Sequence, residues 1–74
     1  MRCIICSKGS RRESVLDESF DLCKLHSAMI ESDLEQLIEQ CQTKWNDLFG
    51  DKYIARRNAL YSLIRTCNKV KSDG

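Results

Sequence analysis

The chain contains no proline and only three glycines among its 74 residues. Both residues interrupt regular helices, so their scarcity favours long helical segments. Uninterrupted apolar runs are also short and fall far below the roughly 20 residues that a membrane-spanning helix needs. With 42% hydrophobic and 31% charged residues, the composition is that of a compact, mostly helical protein. It predicts neither a disordered chain nor an integral membrane protein.

A secretory signal is a further feature that the sequence is predicted to lack. The pattern CIIC occupies residues 3–6 and leaves no room for a basic segment, an apolar segment and a cleavage site. We therefore expect a cytoplasmic location. Thiols stay reduced in that compartment, so the five cysteines point to metal binding before disulfides, and their odd number argues against a full disulfide framework.

The cysteines and the single histidine follow metal-ligand spacing. The pattern is Cys3-x2-Cys6-x16-Cys23-x2-His26, two close pairs separated by an insert of hairpin size. Three thiolates and one imidazole suit tetrahedral Zn²⁺, and four protein ligands leave no open position for a substrate. The sequence therefore predicts one structural zinc ion. A redox role for CIIC is less favoured, because no βαβ pattern surrounds it.

The insert between the two pairs predicts a β-hairpin. RRESVL (residues 11–16) and SFDL (residues 19–22) are short strand patterns joined at Asp17 and Glu18. The apolar residues of these strands are Val15, Leu16, Phe20 and Leu22. A cysteine knuckle, a hairpin and a helix that begins at the second ligand pair follow the order of a treble clef. We expect a treble-clef-like zinc lobe over residues 1–29.

The remainder predicts two helices. Apolar residues recur at steps of three and four from Ile30 to Leu48, which marks one helical face. This first helix either runs unbroken from Cys23 or restarts at Ser32, where Ser32-x-x-Glu35 has the form of a capping box. Gly50 and Asp51 then suit a helix stop and a new start, followed by a helix over about residues 52–70.

These elements together predict a small α+β domain that is zinc-stabilised and mostly α. We expect an antiparallel helical hairpin over residues 30–71 that packs with the zinc lobe as one domain, and a disordered tail at residues 72–74. The two helices carry opposite charge. Residues 27–51 hold six acids and one lysine, a net charge of −5, whereas residues 52–74 hold six bases and one acid, a net charge of +5.

An enzymatic role is not expected. The only histidine is assigned to the metal, and no other group pairs a nucleophile with a base. Apolar residues beyond the helical seam are in surplus, so they must cover the zinc lobe, mediate self-association or contact another protein. The candidate contact residues are Ile38, Trp45, Phe49, Ile54 and Tyr61. A homodimeric structural protein is one alternative.

Basic residues provide a second alternative, a DNA- or RNA-binding regulator. KGSRR over residues 8–12 forms a cationic loop that suits a phosphate. Cations there also offset the −1 charge of three thiolates on Zn²⁺. No aromatic residue is interleaved, so base-specific recognition is not supported. The candidate nucleic-acid contacts are Lys8, Arg11, Arg12, Arg56 and Arg57.

The first 26 residues resemble the small zinc-finger anti-sigma factors of the Gin type from spore-forming bacteria. Those proteins open with a C-x-I-C knuckle and return with an F-x-C-x-x-C pair; CIIC and FDLCKLH occupy those places here. His26 stands where that family has cysteine, and residues from 27 onward have no counterpart in it.

The resemblance implies a small bacterial or phage-encoded regulator, acting in the host cytoplasm if it is phage-encoded. Such a regulator binds and modulates or inhibits a larger protein, for example RNA polymerase or a sigma factor.

Overall fold

The computed structural model describes residues 2–73. Its elements are a β-hairpin of β1 (Arg11–Val15) and β2 (Glu18–Leu22), then α1 (Lys24–Ser32), α2 (Leu34–Asp47), a single 3₁₀ turn (Asp51–Tyr53) and α3 (Ile54–Asp73). The Cα radius of gyration is 11.4 Å, close to the value of about 11 Å that a compact chain of this length has. One β-hairpin followed by three helices confirms the predicted small α+β fold, mostly α.

A tight turn precedes the hairpin and carries the first two cysteines. The amide of Cys3 donates to the carbonyl of Lys8 at 2.8 Å, and the amide of Ser7 donates to the carbonyl of Cys3 at 3.0 Å. Ser7 has a φ of 65°, which lets the backbone reverse directly after Cys6. We call residues 3–9 the cysteine turn. Its Ile4 amide donates to the Asp21 carbonyl at 3.0 Å, which attaches the turn to β2.

The hairpin reverses one residue earlier than predicted. Its strands are antiparallel with Val15 opposite Glu18, so the turn is Leu16–Asp17 and not Asp17–Glu18. Leu16 has a φ of 55° and is 54% exposed, which corrects its prediction as an apolar strand residue. A positive φ at the first turn position matches the right-handed twist of paired strands, and this requirement outweighs the preference of leucine for burial.

A break at Asp33 separates α1 from α2, so the first helix is not continuous. The Asp33 carboxylate accepts a hydrogen bond from the Gln36 amide at 3.3 Å, and the Asp33 amide donates to Met29 at 2.9 Å. The predicted restart is therefore one residue early, because the Ser32 hydroxyl instead donates to the Ala28 carbonyl at 3.0 Å. A carboxylate at this position also faces the positive end of the α2 dipole.

We expect Asp33→Ala to lower the free energy of unfolding by about 1 kcal/mol, the usual cost of losing an N-cap. Ser32→Ala is the matched control and should cost less, because its hydroxyl caps no helix start. Urea denaturation followed by circular dichroism measures both. Equal losses in the two variants would contradict the assignment of Asp33 as the cap.

The α2–α3 pair forms the predicted antiparallel hairpin, and its turn differs in detail. Gly50 has a φ of 92°, the left-handed conformation that favours glycine. Asp51 lies inside the 3₁₀ turn and is not a helix N-cap. At the far end of the pair, Lys71 and Glu35 form an ion pair of 3.0 Å, which joins the basic helix to the acidic one.

One continuous core joins the N-terminal segment to the helices. Its buried members include Cys3, Ile5, Val15, Phe20, Leu22, Leu37, Ile38, Cys41, Leu48, Leu60, Leu63 and Cys67. Ile38 is only 8% exposed, so its prediction as a partner contact is wrong. The sequence placed Ile38 beside the main apolar face of the helix, but α2 packs against α1 as well as α3, and this broader contact buries Ile38 in the core.

The predicted segment boundaries also shift. The division between residues 29 and 30 falls inside α1. Ser72 and Asp73 belong to α3 and are not a disordered tail, whereas residue 74 lies outside the described residues. Within the described range, no helix combines the length and the apolar composition needed to cross a bilayer.

Candidate metal centre

Two local structures bring the four predicted ligands together. Cys3 and Cys6 lie on the cysteine turn, whereas Cys23 is the N-cap of α1 and His26 lies in its first turn. The Cys23 Sγ accepts a hydrogen bond from the His26 amide at 3.5 Å, as a capping side chain does. The four ligand atoms all lie within 4.8 Å of one another. The predicted ligand set therefore forms a single cluster.

The distances in this cluster fit a tetrahedral ion. Zn–S bonds of about 2.3 Å and Zn–N bonds of about 2.0 Å set ligand separations of about 3.8 Å between two sulfurs and about 3.5 Å between sulfur and nitrogen. The Cys6 and Cys23 Sγ atoms are 3.7 Å apart, and the Cys3 Sγ lies 3.6 Å from His26 Nδ1. The separation between Cys23 Sγ and His26 Nδ1 is shorter, at 3.0 Å. The donor set and its spacing therefore fit one Zn²⁺.

The orientation of the His26 ring supports the same conclusion. Its Nε2 lies 2.7 Å from Gln40 Oε1 on α2, and because that atom is an acceptor, Nε2 carries the proton. Nδ1 is the ring nitrogen that faces the sulfurs, 3.6 Å from Cys3 Sγ and 3.0 Å from Cys23 Sγ. A hydrogen bond of this kind on the distal nitrogen is the usual partner of a metal-bound imidazole.

Gln40 is a residue that sequence analysis did not identify. It lies 14 residues from His26 on a different helix, and no motif connects the two positions. Only the packing of α1 against α2, across the break at Asp33, places them together.

Arg56 has a structural role that differs from the predicted one. Its guanidinium donates from Nε to the Ile4 carbonyl at 2.9 Å and from Nη2 to the Ile5 carbonyl at 3.2 Å. These two carbonyls lie between the ligands Cys3 and Cys6. Arg56 therefore holds the cysteine turn against α3 through two of its five N–H donors, a structural role that the sequence did not predict, and its prediction as a nucleic-acid contact stays a prediction.

The remaining two cysteines are distinct from the cluster. Cys41 and Cys67 are 0% exposed and lie in the apolar core. Burial raises the pKa of the Cys41 thiol to about 12 and that of Cys67 to about 11. Both groups are therefore protonated at neutral pH and behave as small apolar side chains rather than metal ligands.

Four of the five predicted partner contacts reach the surface. Phe49 is 75% exposed, Tyr61 54% and Ile54 53%, which are high values for large apolar side chains. Trp45 is half-buried, and the Arg57 guanidinium lies 3.9 Å above its ring. Trp45 and Arg57, which the sequence assigned to different hypotheses, are thus parts of one surface.

The predicted nucleic-acid contacts do not share one environment. Lys8, Arg11 and Arg12 are exposed near the cysteine turn and on β1. Arg12 lies 3.5 Å from the Asp21 carboxylate. Arg56 binds backbone carbonyls and Arg57 stacks on Trp45, as described above. Lys8, Arg11 and Arg12 are therefore the exposed members of this predicted set, whereas Arg56 and Arg57 are half-buried.

Comparison of the chain with protein-family models, with curated proteins and with solved structures found no match. The resemblance to Gin-type anti-sigma factors therefore stays a prediction that depends on ligand spacing alone.

Proposed function

We propose that residues 3–26 form a treble-clef zinc lobe with a structural ion. The observation that carries this proposal is the cluster of four ligand atoms within 4.8 Å. Cys3, Cys6, Cys23 and His26 would hold the ion. When bound, it would cross-link the cysteine turn to the start of α1 and supply folding free energy.

The cluster supports a structural role for the ion and not a catalytic one. Three thiolates and one imidazole complete a tetrahedral shell without water or substrate. Both nitrogens of His26 are engaged, one by the cluster and one by Gln40, so the ring has no free position for acid–base chemistry. We accordingly propose that the chain is not an enzyme.

We propose further that the chain binds a larger protein and modulates or inhibits it. The proposal is supported by the large apolar side chains of Phe49, Ile54 and Tyr61, which are more than half exposed on a folded domain and are available to contact another protein. The N-terminal resemblance suggests a partner in bacterial transcription, such as RNA polymerase or a sigma factor. We propose a bacterial or phage-encoded regulator that acts in the cytoplasm.

Two other functions have some support. Lys8 and Arg11 are exposed cations beside the cysteine turn, which favours nucleic-acid binding as a second candidate. A homodimer that buries the exposed apolar residues is the third candidate.

One capture experiment distinguishes a protein partner from nucleic acid. The tagged, zinc-loaded protein is incubated with bacterial lysate, with and without nuclease, beside the variants Tyr61→Ala and Arg11→Ala/Arg12→Ala. We expect one defined protein to persist after nuclease treatment, to be lost with Tyr61→Ala and to be retained by the arginine variant. Loss only with nuclease and the arginine variant would favour nucleic acid. Light scattering on the purified protein tests the homodimer.

A further inference from the structure

A groove between α2 and α3 is lined by two aromatic side chains, Trp45 and Tyr61. It has a volume of about 340 Å³ and is lined by Gln42, Trp45, Asn46, Tyr61 and Ile64. The lining is apolar along its centre and uncharged along its α2 edge. A concave strip of this type between two helices suits the apolar ridge of a third helix. We call it the Trp45 groove.

The α3 edge of the Trp45 groove is cationic. Arg57 covers the Trp45 ring at 3.9 Å. Arg65 lines a neighbouring groove, and its guanidinium lies 6.0 Å from the centre of the Tyr61 ring. Neither arginine makes an ion pair with any residue in the described range 2–73. The Arg57 Nε is buried and has no hydrogen-bond partner there. The buried Nε is out of reach of an external ligand, so the terminal Nη donors of both guanidinium groups are the ones left for an external acceptor.

The acidic residues of α2 do not neutralise this edge. Glu39 and Asp47 line a different groove, beside Cys6 and His26, and Glu35 is paired with Lys71. None of the three acidic residues of α2 therefore lines the Trp45 groove.

We infer that the Trp45 groove binds an acidic amphipathic helix of a partner protein. Its apolar ridge would pack on Trp45, Tyr61 and Ile64, and its flanking carboxylates would accept hydrogen bonds from Arg57 and Arg65. The planar guanidinium of Arg57 matches the two-pronged geometry of a carboxylate, and stacking on Trp45 restricts its orientation. This inference rests on the proposed protein-binding function and specifies the chemistry of the partner.

Single-stranded nucleic acid fits this groove less well. Such ligands stack their bases on exposed aromatic faces, whereas Arg57 already covers Trp45. A second copy of the chain also fits less well, because the apolar face of α2 is buried against its own core at Leu37, Ile38 and Cys41.

The test is a display library of helical peptides with a fixed leucine ridge and flanking positions that vary among Glu, Gln and Lys. Selection uses the full-length, zinc-loaded protein. We expect the selected pool to be enriched in Glu at the flanks. Selected peptides should bind Arg57→Glu/Arg65→Glu about tenfold or more weakly, because like charges then face each other. Exchanging their Glu for Lys should restore binding to that variant.

The matched control is Arg11→Glu/Arg12→Glu, which makes the same charge change on β1 and should leave peptide binding unchanged. Arg65→Glu alone serves if the double variant loses zinc or helical content, because Arg65 is exposed. A neutral or basic pool, or binding indifferent to Arg65, overturns the inference. If Tyr61→Ala still abolishes the binding of those peptides, the proposed protein-binding function is retained.

Absence of any selected peptide also overturns the inference. In that case, the protein is tested for binding to a single-stranded oligonucleotide and to anionic phosphatidylglycerol vesicles. Binding that Arg65→Glu weakens would assign the Trp45 groove to another class of partner. Failure of the proposed function itself is detected separately, as loss of the nuclease-resistant partner in the capture experiment.

Discussion

Cys23→Ser is expected to abolish stoichiometric zinc binding and the ordered N-terminal lobe. The variant removes one of four ligands and replaces the capping sulfur of α1 with a poorer metal donor. Structural zinc contributes about 10–16 kcal/mol in small zinc domains, whereas a whole domain of this length is stable by only about 4–11 kcal/mol. The ion is therefore expected to decide whether the chain folds. Metal analysis and circular dichroism measure the two effects, and chelation of the wild-type protein should reproduce them.

Cys67→Ala is the matched control for this variant. It also removes a buried thiol, but one that lies in the apolar core and outside the cluster. We expect it to retain one zinc per chain and to lower the free energy of unfolding by only about 1 kcal/mol, the centre of the range for point substitutions. If Cys23→Ser keeps stoichiometric zinc and its fold, the assignment of the N-terminal lobe is wrong.

Gln40→Ala is expected to weaken zinc binding by about 10- to 100-fold, the usual loss when the hydrogen-bond partner of a ligand is removed. Without the acceptor at 2.7 Å, the His26 ring is free to turn and to exchange its proton between the two nitrogens. The zinc dissociation constant is measured by competition with a chromophoric chelator. Cobalt substitution gives a second measurement, because the visible spectrum of Co²⁺ reports the geometry of its ligands.

Two further variants show whether Gln40 positions His26 or only fills space. Gln40→Glu keeps an acceptor at the same place and should retain high affinity, whereas Gln40→Leu keeps the volume and should lose as much as alanine. Gln42→Ala, on the exposed face of the same helix, should leave the zinc dissociation constant unchanged. Equal affinity in the leucine variant and the wild type would show that the hydrogen bond is not required.

The predictions that succeeded depend on residues close together in the chain. Cys3 and Cys6 lie on one turn, and Cys23 and His26 lie at the start of one helix. The spacing of these residues was therefore enough to predict the two pairs of candidate metal ligands. The steps of three and four in α2 and α3 likewise indicated helices. Gly50 was predicted to end the first of them, and its positive φ in the structure agrees with that prediction. Each of these features depends on local backbone geometry, which can be predicted from residue types and their spacing.

Two of the errors arose where competing local signals had to be ranked. Ser32 and Asp33 both suit a helix start, and the structure uses Asp33 because the Ser32 hydroxyl bonds back to Ala28. Leu16 suits a strand by its side chain, but the hairpin register makes it a turn residue. The free-energy differences between such alternatives are on the order of 1 kcal/mol, too small for the pattern to decide.

By itself, the sequence determined the four ligand types, the hairpin between their pairs and the two long helices, because each depends on neighbours within a few positions. Only the tertiary structure decided that Gln40 supports His26, that Arg56 holds the cysteine turn, and that Ile38 is buried while Trp45 and Tyr61 form a groove with Arg57. These contacts join residues as far apart as 52 positions. They exist because the core packs α2 and α3 against the N-terminal lobe, and no periodicity in the chain encodes that arrangement.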